Sequence, residues 1–251
     1  MRELSLFTGA GGGLLGTKLL GWEPIGYVEF NDYCQRVIKQ RIIDGILPNA
    51  PIFGDIKAFI DSGCAELYRG VTDVITGGFP CQPHSRAGKQ LASDDERDMW
   101  TETLCVIKTI KPEWLLLENV PGIIDTGYVW RVTADLAGCG YVGLATNLSA
   151  LGLGANHKRD RIWFIAQRAD YWQKRIQRSG ETSLSWKPSV SWGENVGRLE
   201  KMRVRPDLPE RGLCRSQHDV PAYVDRISAI GNAQFPPVVR AVWNLCTELA
   251  I

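Results

Sequence analysis

The chain has 251 residues with 44% hydrophobic side chains, enough for one substantial core and at most two domains. Its seven cysteines (34, 64, 81, 105, 139, 214 and 246) form no Cys-x-x-Cys pair and its three histidines (84, 157 and 218) are widely spaced, which argues against a disulfide framework and a zinc cluster; no metal is expected. The net charge of +1 hides a polarity, because residues 1–156 hold 13 Lys/Arg against 18 Asp/Glu while residues 157–226 hold 15 against 9, and a basic segment on an acidic body suits a polyanion partner as well as it suits a solvated loop.

Nowhere does the sequence offer the roughly 18 consecutive apolar residues of a membrane span, so no membrane association and a cytoplasmic location are expected. Leu4 to Phe7 reads as a strand ending in the turn Thr8-Gly-Ala-Gly-Gly-Gly13, after which Leu14, Leu15, Leu19 and Leu20 recur at helical spacing. Pro24 to Glu29 gives a second strand, Asn31 or Asp32 caps a helix to about Ile43, and Ile52-Phe53 ahead of Gly54-Asp55-Ile56 gives a third strand. Val71 to Thr76 is read as a fourth strand running into Gly77-Gly78-Phe79-Pro80-Cys81. A polar loop to about Asp98, a helix through Ile110 and an apolar strand from Trp114 to Leu117 follow, the strand ending in Glu118-Asn119-Val120.

Strands alternating with helices, with polar punctuation just past the strand ends, predict an α/β fold built on a mostly parallel sheet with its site at that edge. From Ala169 to about Ala222 the periodicity fails. Trp172, Trp186 and Trp192 lie there among Arg, Ser, Gly and Pro, as in an inserted small domain or long loop, and Tyr223 to Ile251 returns to a helix-forming pattern.

The turn Phe7-Thr8-Gly9-Ala10-Gly11-Gly12 between strand and helix exposes backbone amides and lets a ligand approach closely. Glu29, twenty residues after Gly9, is placed to accept hydrogen bonds from ribose hydroxyls. Any adenosine cofactor fits these features. Leu14 stands where the third glycine of a dinucleotide fingerprint belongs, and the loop alone leaves a nicotinamide enzyme, a methyltransferase and a structural turn all open. More specific is Gly77 to Ser85, which sets Cys81 between prolines just beyond a central strand. The two glycines there have no evident packing purpose and are read as exposing the sulfur, whereas burial is the ordinary state of the other cysteines. Glu118 ends the next strand and is expected beside Cys81. Arg159 and Arg161, at spacing two before the apolar run Ile162 to Ile165, face the same way if the chain is extended there.

Taken in order, these segments resemble the cytosine-5 DNA methyltransferase family through most of the chain. The resemblance matches the cofactor loop to Phe7 through Gly12, the ribose acid to Glu29, the adenine-contacting acid to Asp55, the Pro-Cys nucleophile to Pro80-Cys81, and Glu-Asn-Val to residues 118–120. It also matches Gln-x-Arg-x-Arg to His157 through Arg161 and Gly-Asn-Ala-x-x-Pro to Gly231 through Pro236. Ser5, His84 and His157 depart from the family pattern.

The resemblance implies a Rossmann-like S-adenosylmethionine-dependent fold with residues 1–167 catalytic and cofactor-binding, 168–222 a small target-recognition region and 223–251 returning to the catalytic domain. S-adenosylmethionine is then held by Phe7, Gly9, Gly11, Gly12, Glu29, Asp55, Ile56, Pro80 and Asn232. Cys81 attacks carbon 6 of a flipped cytosine, Glu118 holds or protonates ring N3, and Arg161 binds O2 with Arg159 in support. Such a site is expected to favour thiolate, since a free thiol is mostly protonated at pH 7. The implied partner of this monomeric enzyme is double-stranded DNA, and a cognate restriction endonuclease acting on the same site is compatible with it. The same chemistry on RNA is the nearest rival, and a nicotinamide oxidoreductase the next.

Overall fold

The computed structural model describes residues 1–81, 98–171, 173 and 223–248. In chain order they form β1 (Arg2–Leu6), α1 (Gly12–Lys18), β2 (Glu23–Val28), α2 (Asp32–Ile43), β3 (Ile52–Phe53), α3 (Ile56–Asp61), β4 (Val74–Gly78) and α4 (Trp100–Ile110). Then come β5 (Trp114–Asn119), α5 (Gly122–Asp125), α6 (Tyr128–Gly138), β6 (Tyr141–Ser149), β7 (Asp160–Arg168), α7 (Tyr223–Asn232) and α8 (Pro236–Glu248), with 3-10 turns at Cys64–Tyr68 and Leu151–Leu153. The target-recognition region expected at 168–222, apart from residues 168–171 and 173, lies outside the described residues. So do His84 and Trp172, Trp186 and Trp192.

The seven strands make one sheet in the order β3-β2-β1-β4-β5-β7-β6. Strands β1 to β5 are mutually parallel, whereas β7 runs antiparallel to both β5 and β6. Strand alternation divides the core. Leu115, Leu117 and Phe164 pack with Phe59, Val106, Ile107, Val129 and Val132, so α3, α4 and α6 cover one face. Leu116, Trp163 and Ile165 pack with Val238, Val239 and Val242 of α8 on the other face. Next to them Leu14 of α1 joins Tyr27 and Ile38. Because β1 feeds β2 on one side and pairs with β4 on the other, the winding reverses between β1 and β4. The carboxyl ends of these two strands therefore part around a crevice.

Four features differ from the sequence reading. The fourth strand spans 74–78 rather than 71–76, because Asp73 is held below it: its carboxylate accepts the Arg2 N–H at 2.7 Å and pairs with the Arg2 guanidinium at 2.9 Å. The glycines Gly77 and Gly78 thus belong to the strand itself. Helix α6 and strand β6 were not anticipated, and β7 enters against the parallel direction. The helix expected from about Asn31 is found, with Asn31 Oδ1 accepting the Cys34 N–H at 3.0 Å.

A carboxylate sits inside this framework. Glu3 on β1 is fully buried and accepts from Thr17 of α1 and Thr76 of β4, each at 2.6 Å, so it ties the helix and the two switch-point strands together. Burial raises its pKa from 4.5 to about 7 against the two hydroxyl donors. Ionising it in the fold costs more than in the unfolded chain, so its contribution is complete below pH 4.5 and is lost as pH rises to about 7. Urea denaturation from pH 4.5 to 7.5 is therefore expected to show the wild type losing up to about 3 kcal/mol more than Glu3→Gln. Parallel curves for the two proteins exclude this origin. Glu29 and Glu118 shift in the same sense and remain in both proteins, so only the difference reports Glu3.

Candidate active site

The crevice is lined first by the loop after β1. Phe7, Gly9 and Gly11 all adopt positive φ (50°, 58° and 80°), so the backbone turns sharply before α1, and a Cβ on Gly9 would meet nothing within 4 Å. Glu29, at the end of β2, is 8% exposed and braces this loop: Oε2 accepts the Gly9 N–H at 2.6 Å and Oε1 the Asn31 N–H at 2.8 Å. Burial raises its pKa, opposed by those two backbone donors. Phe30 follows at 79% exposure, an aromatic face beside the acid that the sequence reading passed over; its signal was an aromatic residue directly after the strand-end carboxylate. Asp55, just past β3, caps α3 through its Oδ1 and the Lys57 N–H at 3.0 Å, and Ile56 beside it is buried. An open glycine cradle, a strand-end carboxylate with lone pairs to spare and an exposed aromatic ring fit an adenosine cofactor carrying an amino-acid tail.

Across the crevice the ends of β4 and β5 carry a second group of side chains. Gly78 is paired with Glu118, and a Cβ on Gly78 would lie 2.7 Å from Glu118 Oε2. The glycine read as exposing the sulfur therefore has a packing purpose after all, which is to make room for the carboxylate. Glu118 is 7% exposed, and its Oε1 lies 2.6 Å from Arg161 Nε. Burial raises the Glu118 pKa although Arg161, Arg159 and a hydrogen bond from Gln234 all oppose the rise.

Cys81 is 6% exposed, contrary to the open sulfur expected. Its backbone bridges to Asp98, and the Met99 N–H donates to Pro80 O at 3.2 Å, so both ends of the intervening segment are held together beside the crevice. Sγ donates to Asn119 Oδ1. The Asn119 amide is fixed by two further bonds, since Oδ1 accepts the Val120 N–H at 2.8 Å and Nδ2 donates to Phe79 O at 3.1 Å. An oriented acceptor facing the sulfur holds S–H rather than S⁻. Burial pushes the thiol up to about 12, with the Asp98 and Glu118 carboxylates adding to the rise, so the ligand-free site favours thiol and not the expected thiolate.

The arginines part company. Arg161 enters at the start of β7 and pairs with Glu118, whereas Arg159 has φ 39°, a turn rather than extended chain. The Arg159 guanidinium donates to Gly231 O at 3.0 Å and to Ala233 O, pinning the link between α7 and α8. Burial, followed by the neighbouring Arg161, lowers the Arg159 pKa to about 10. Asn232, within the pinned link, is exposed. The link and α8 press onto α1, where a Cβ would lie 2.6 Å from Gln234 O if added to Gly12 and 2.5 Å from Val239 Cβ if added to Gly16.

Comparison with known proteins matches this arrangement to one family, whose model, described as C-5 cytosine-specific DNA methylase, covers residues 1–210. The Type II methyltransferase M.NgoMIV of Neisseria gonorrhoeae is 33% identical over 219 residues, 82% of this chain and 67% of that protein. M.PspPI of Psychrobacter sp. is 32% identical over 179 residues, 68% of this chain and 40% of that one. The chain thus spans about two thirds of the first relative's length and less than half of the second's. Among solved structures, a protein described as a DNA modification methyltransferase encoded within an E. coli prophage is 26% identical with a TM-score of 0.54, covering 68% of this chain and 48% of its own. DNMT2 of Spodoptera frugiperda, at 22% identity, a TM-score of 0.54 and coverage of 67% and 50%, shares the fold, a Rossmann-like methyltransferase sheet. With the glycine loop, the Pro-Cys turn, Glu-Asn-Val and the Arg-x-Arg strand start all at one sheet edge within a matched span of 210 residues, the chain belongs to the C-5 cytosine-specific DNA methylase family.

Proposed function

We propose that this chain transfers a methyl group to carbon 5 of cytosine in double-stranded DNA, with S-adenosylmethionine as donor. The observation that carries the reading is the hydrogen-bonded cluster at the ends of β4 and β5. Cys81, three residues past the end of β4, and Glu118 on the neighbouring β5 stand there, one bonded to Asn119 and the other to Arg161.

Phe7, Gly9, Gly11 and Gly12 would hold the methionyl part of the cofactor, with Glu29 on the ribose hydroxyls, Asp55, Ile56 and Phe30 around the adenine, and Pro80 and Asn232 closing the site. When bound, the cofactor supplies an electrophilic methyl group. Glu118, whose pKa is raised by burial, gives a proton to ring N3 and draws electrons from carbon 6. Arg161 lies within 2.6 Å of that carboxylate and supplies positive charge for cytosine O2. Arg159 acts from behind by holding the 231–233 link in place. The Cys81 sulfur, its proton released to solvent, would add to carbon 6 and leave carbon 5 nucleophilic toward the methyl group that bound S-adenosylmethionine would supply, its sulfonium departing as the neutral thioether. Loss of the carbon-5 proton then expels the sulfur and restores the ring.

Carbon 6 is inaccessible in stacked duplex DNA, so the base must be flipped at a cost of a few kcal/mol. The basic span 157–226, with its 15 Lys/Arg against 9 Asp/Glu, is the phosphate-binding surface in this reading, and 168–222 is the target-recognition region of a monomeric enzyme. A cognate restriction endonuclease fits the names of the Type II relatives.

A ligand-free thiol held by Asn119 reacts slowly with electrophiles. At pH 8.5, where an ordinary thiol is about half ionised, alkylation of the Cys81 peptide followed by mass spectrometry is expected to be at least about tenfold slower than that of a model thiol. Labelling at the rate of a free thiol overturns the acceptor role of Asn119.

The cofactor assignment is tested with charge-removing changes that keep local structure. Asp55→Asn preserves the helix cap, since Asn and Asp cap about equally well, and Glu29→Gln preserves an acceptor for Gly9. Each is expected to weaken S-adenosylmethionine binding about tenfold by calorimetry, the order of one hydrogen bond to an ionised group. Unchanged affinity in both removes these two residues from the site.

The covalent step gives the sharpest test. Fluorine at carbon 5 cannot leave as a cation, so wild-type protein with S-adenosylmethionine and 5-fluorocytosine duplex DNA is expected to form a complex that survives denaturing electrophoresis, while Cys81→Ser does not. Equal trapping by both proteins, or none while cofactor and DNA both bind, discards the mechanism; trapping on RNA in place of DNA reassigns the substrate.

A further inference from the structure

The strongest feature that the mechanism leaves unused is Gln234, in the pinned link between α7 and α8. Its Nε2 faces the Gly78–Glu118 corner, 3.4 Å from where a Gly78 Cβ would sit, and donates to the Glu118 carboxylate. Its Oε1 points the other way, into the space over Gly13 of α1, where any Cβ would collide with it. The side chain therefore spans from the helix that follows the cofactor loop to the catalytic carboxylate, and a glycine without a side chain opens its path.

We infer that Gln234 is a positioning residue for Glu118: its amide holds the carboxylate together with Arg161, which bonds Oε1, and it couples the setting of that acid to the glycine-rich start of α1. The inference rests on the proposed role of Glu118 at ring N3. Two donors, one on β7 and one on the α7–α8 link, restrict the orientation of the carboxylate in the crevice. Gln234 also opposes the rise that burial imposes on the Glu118 pKa. Gly13 is the reciprocal half of the device. It lies inside α1 without positive φ, so alanine there is favourable to the helix by propensity and acts only by pushing away a flexible side-chain tip.

The test measures single-turnover formation of the 5-fluorocytosine adduct against pH, with saturating cofactor and DNA. Gln234→Leu removes the donor and Gly13→Ala displaces it. Both are expected to slow trapping about tenfold at pH 7 and to move the alkaline limb of the profile up by about one unit, because the Glu118 anion has lost a hydrogen bond. In a Glu118→Gln background neither change is expected to alter the residual rate further. Because Gly13→Ala does not weaken helix α1, it decides the matter if Gln234→Leu fails to fold. A wild-type rate and wild-type limb in Gly13→Ala overturn the inference. So does a loss confined to the KM for S-adenosylmethionine with the limb unmoved, which would make Gln234 a support of the cofactor loop alone. Failure of wild-type protein to trap at all would instead strike the proposed function, so the two outcomes are distinguishable.

Discussion

The buried pair of Glu118 and Arg161 is the constraint around which the site is arranged. A carboxylate taken out of water at the end of a central strand is costly unless matched, and breaking such a pair from one side typically costs about 3–5 kcal/mol. Matching it requires a cation at the same edge of the sheet. A further parallel strand would begin at the opposite edge, leaving a cation ahead of it a strand length away. Strand β7 meets the requirement by running backwards between β5 and β6, so that its first residues arrive where β4 and β5 end. The reversed strand and the ion pair therefore imply each other.

Around that pair the small residues follow from space. Gly78 has no side chain because Glu118 occupies the volume, Gly13 has none because Gln234 does, and Gly12 and Gly16 let the 233–239 segment close onto α1. Cofactor loop and acid are thus built against the same piece of C-terminal chain, which Arg159 clamps by its carbonyls. Residues more than 200 positions apart in sequence, Gly12 and Gln234 among them, come into close contact there. A change at the link is felt on both sides of the crevice.

The parallel half of the sheet was legible because its signals are local. Leu4 to Leu6 before a glycine turn, Asn31 ahead of an amphipathic helix and the apolar Trp114 to Leu117 run each announce their element within a few residues, and the order of motifs then indicated the family. What was not legible depends on partners distant in sequence. Period-two alternation is the same whichever way a strand points, so nothing in Ile162 to Ile165 reveals that β7 is antiparallel. The turn at Arg159 is equally silent, since an arginine at positive φ leaves no mark in composition. Gly78 was misread for the same reason: the carboxylate it accommodates lies forty residues ahead.

The protonation state of Cys81 links this geometry to the proposed chemistry. A permanently ionised thiolate in an open crevice would react with any electrophile present, including the cofactor's methyl group. Here burial and two neighbouring carboxylates keep Cys81 as a thiol, its S–H directed at Asn119 Oδ1, until something changes around it. In the proposed reaction a cytosine entering the crevice brings such a change: taking a proton from Glu118 at N3 makes the ring an electron-poor acceptor for the sulfur, while the carboxylate left behind is matched by Arg161. In that proposal the thiol gives up its proton only as it adds to the activated ring, so the sulfur need not stand ionised in the ligand-free site.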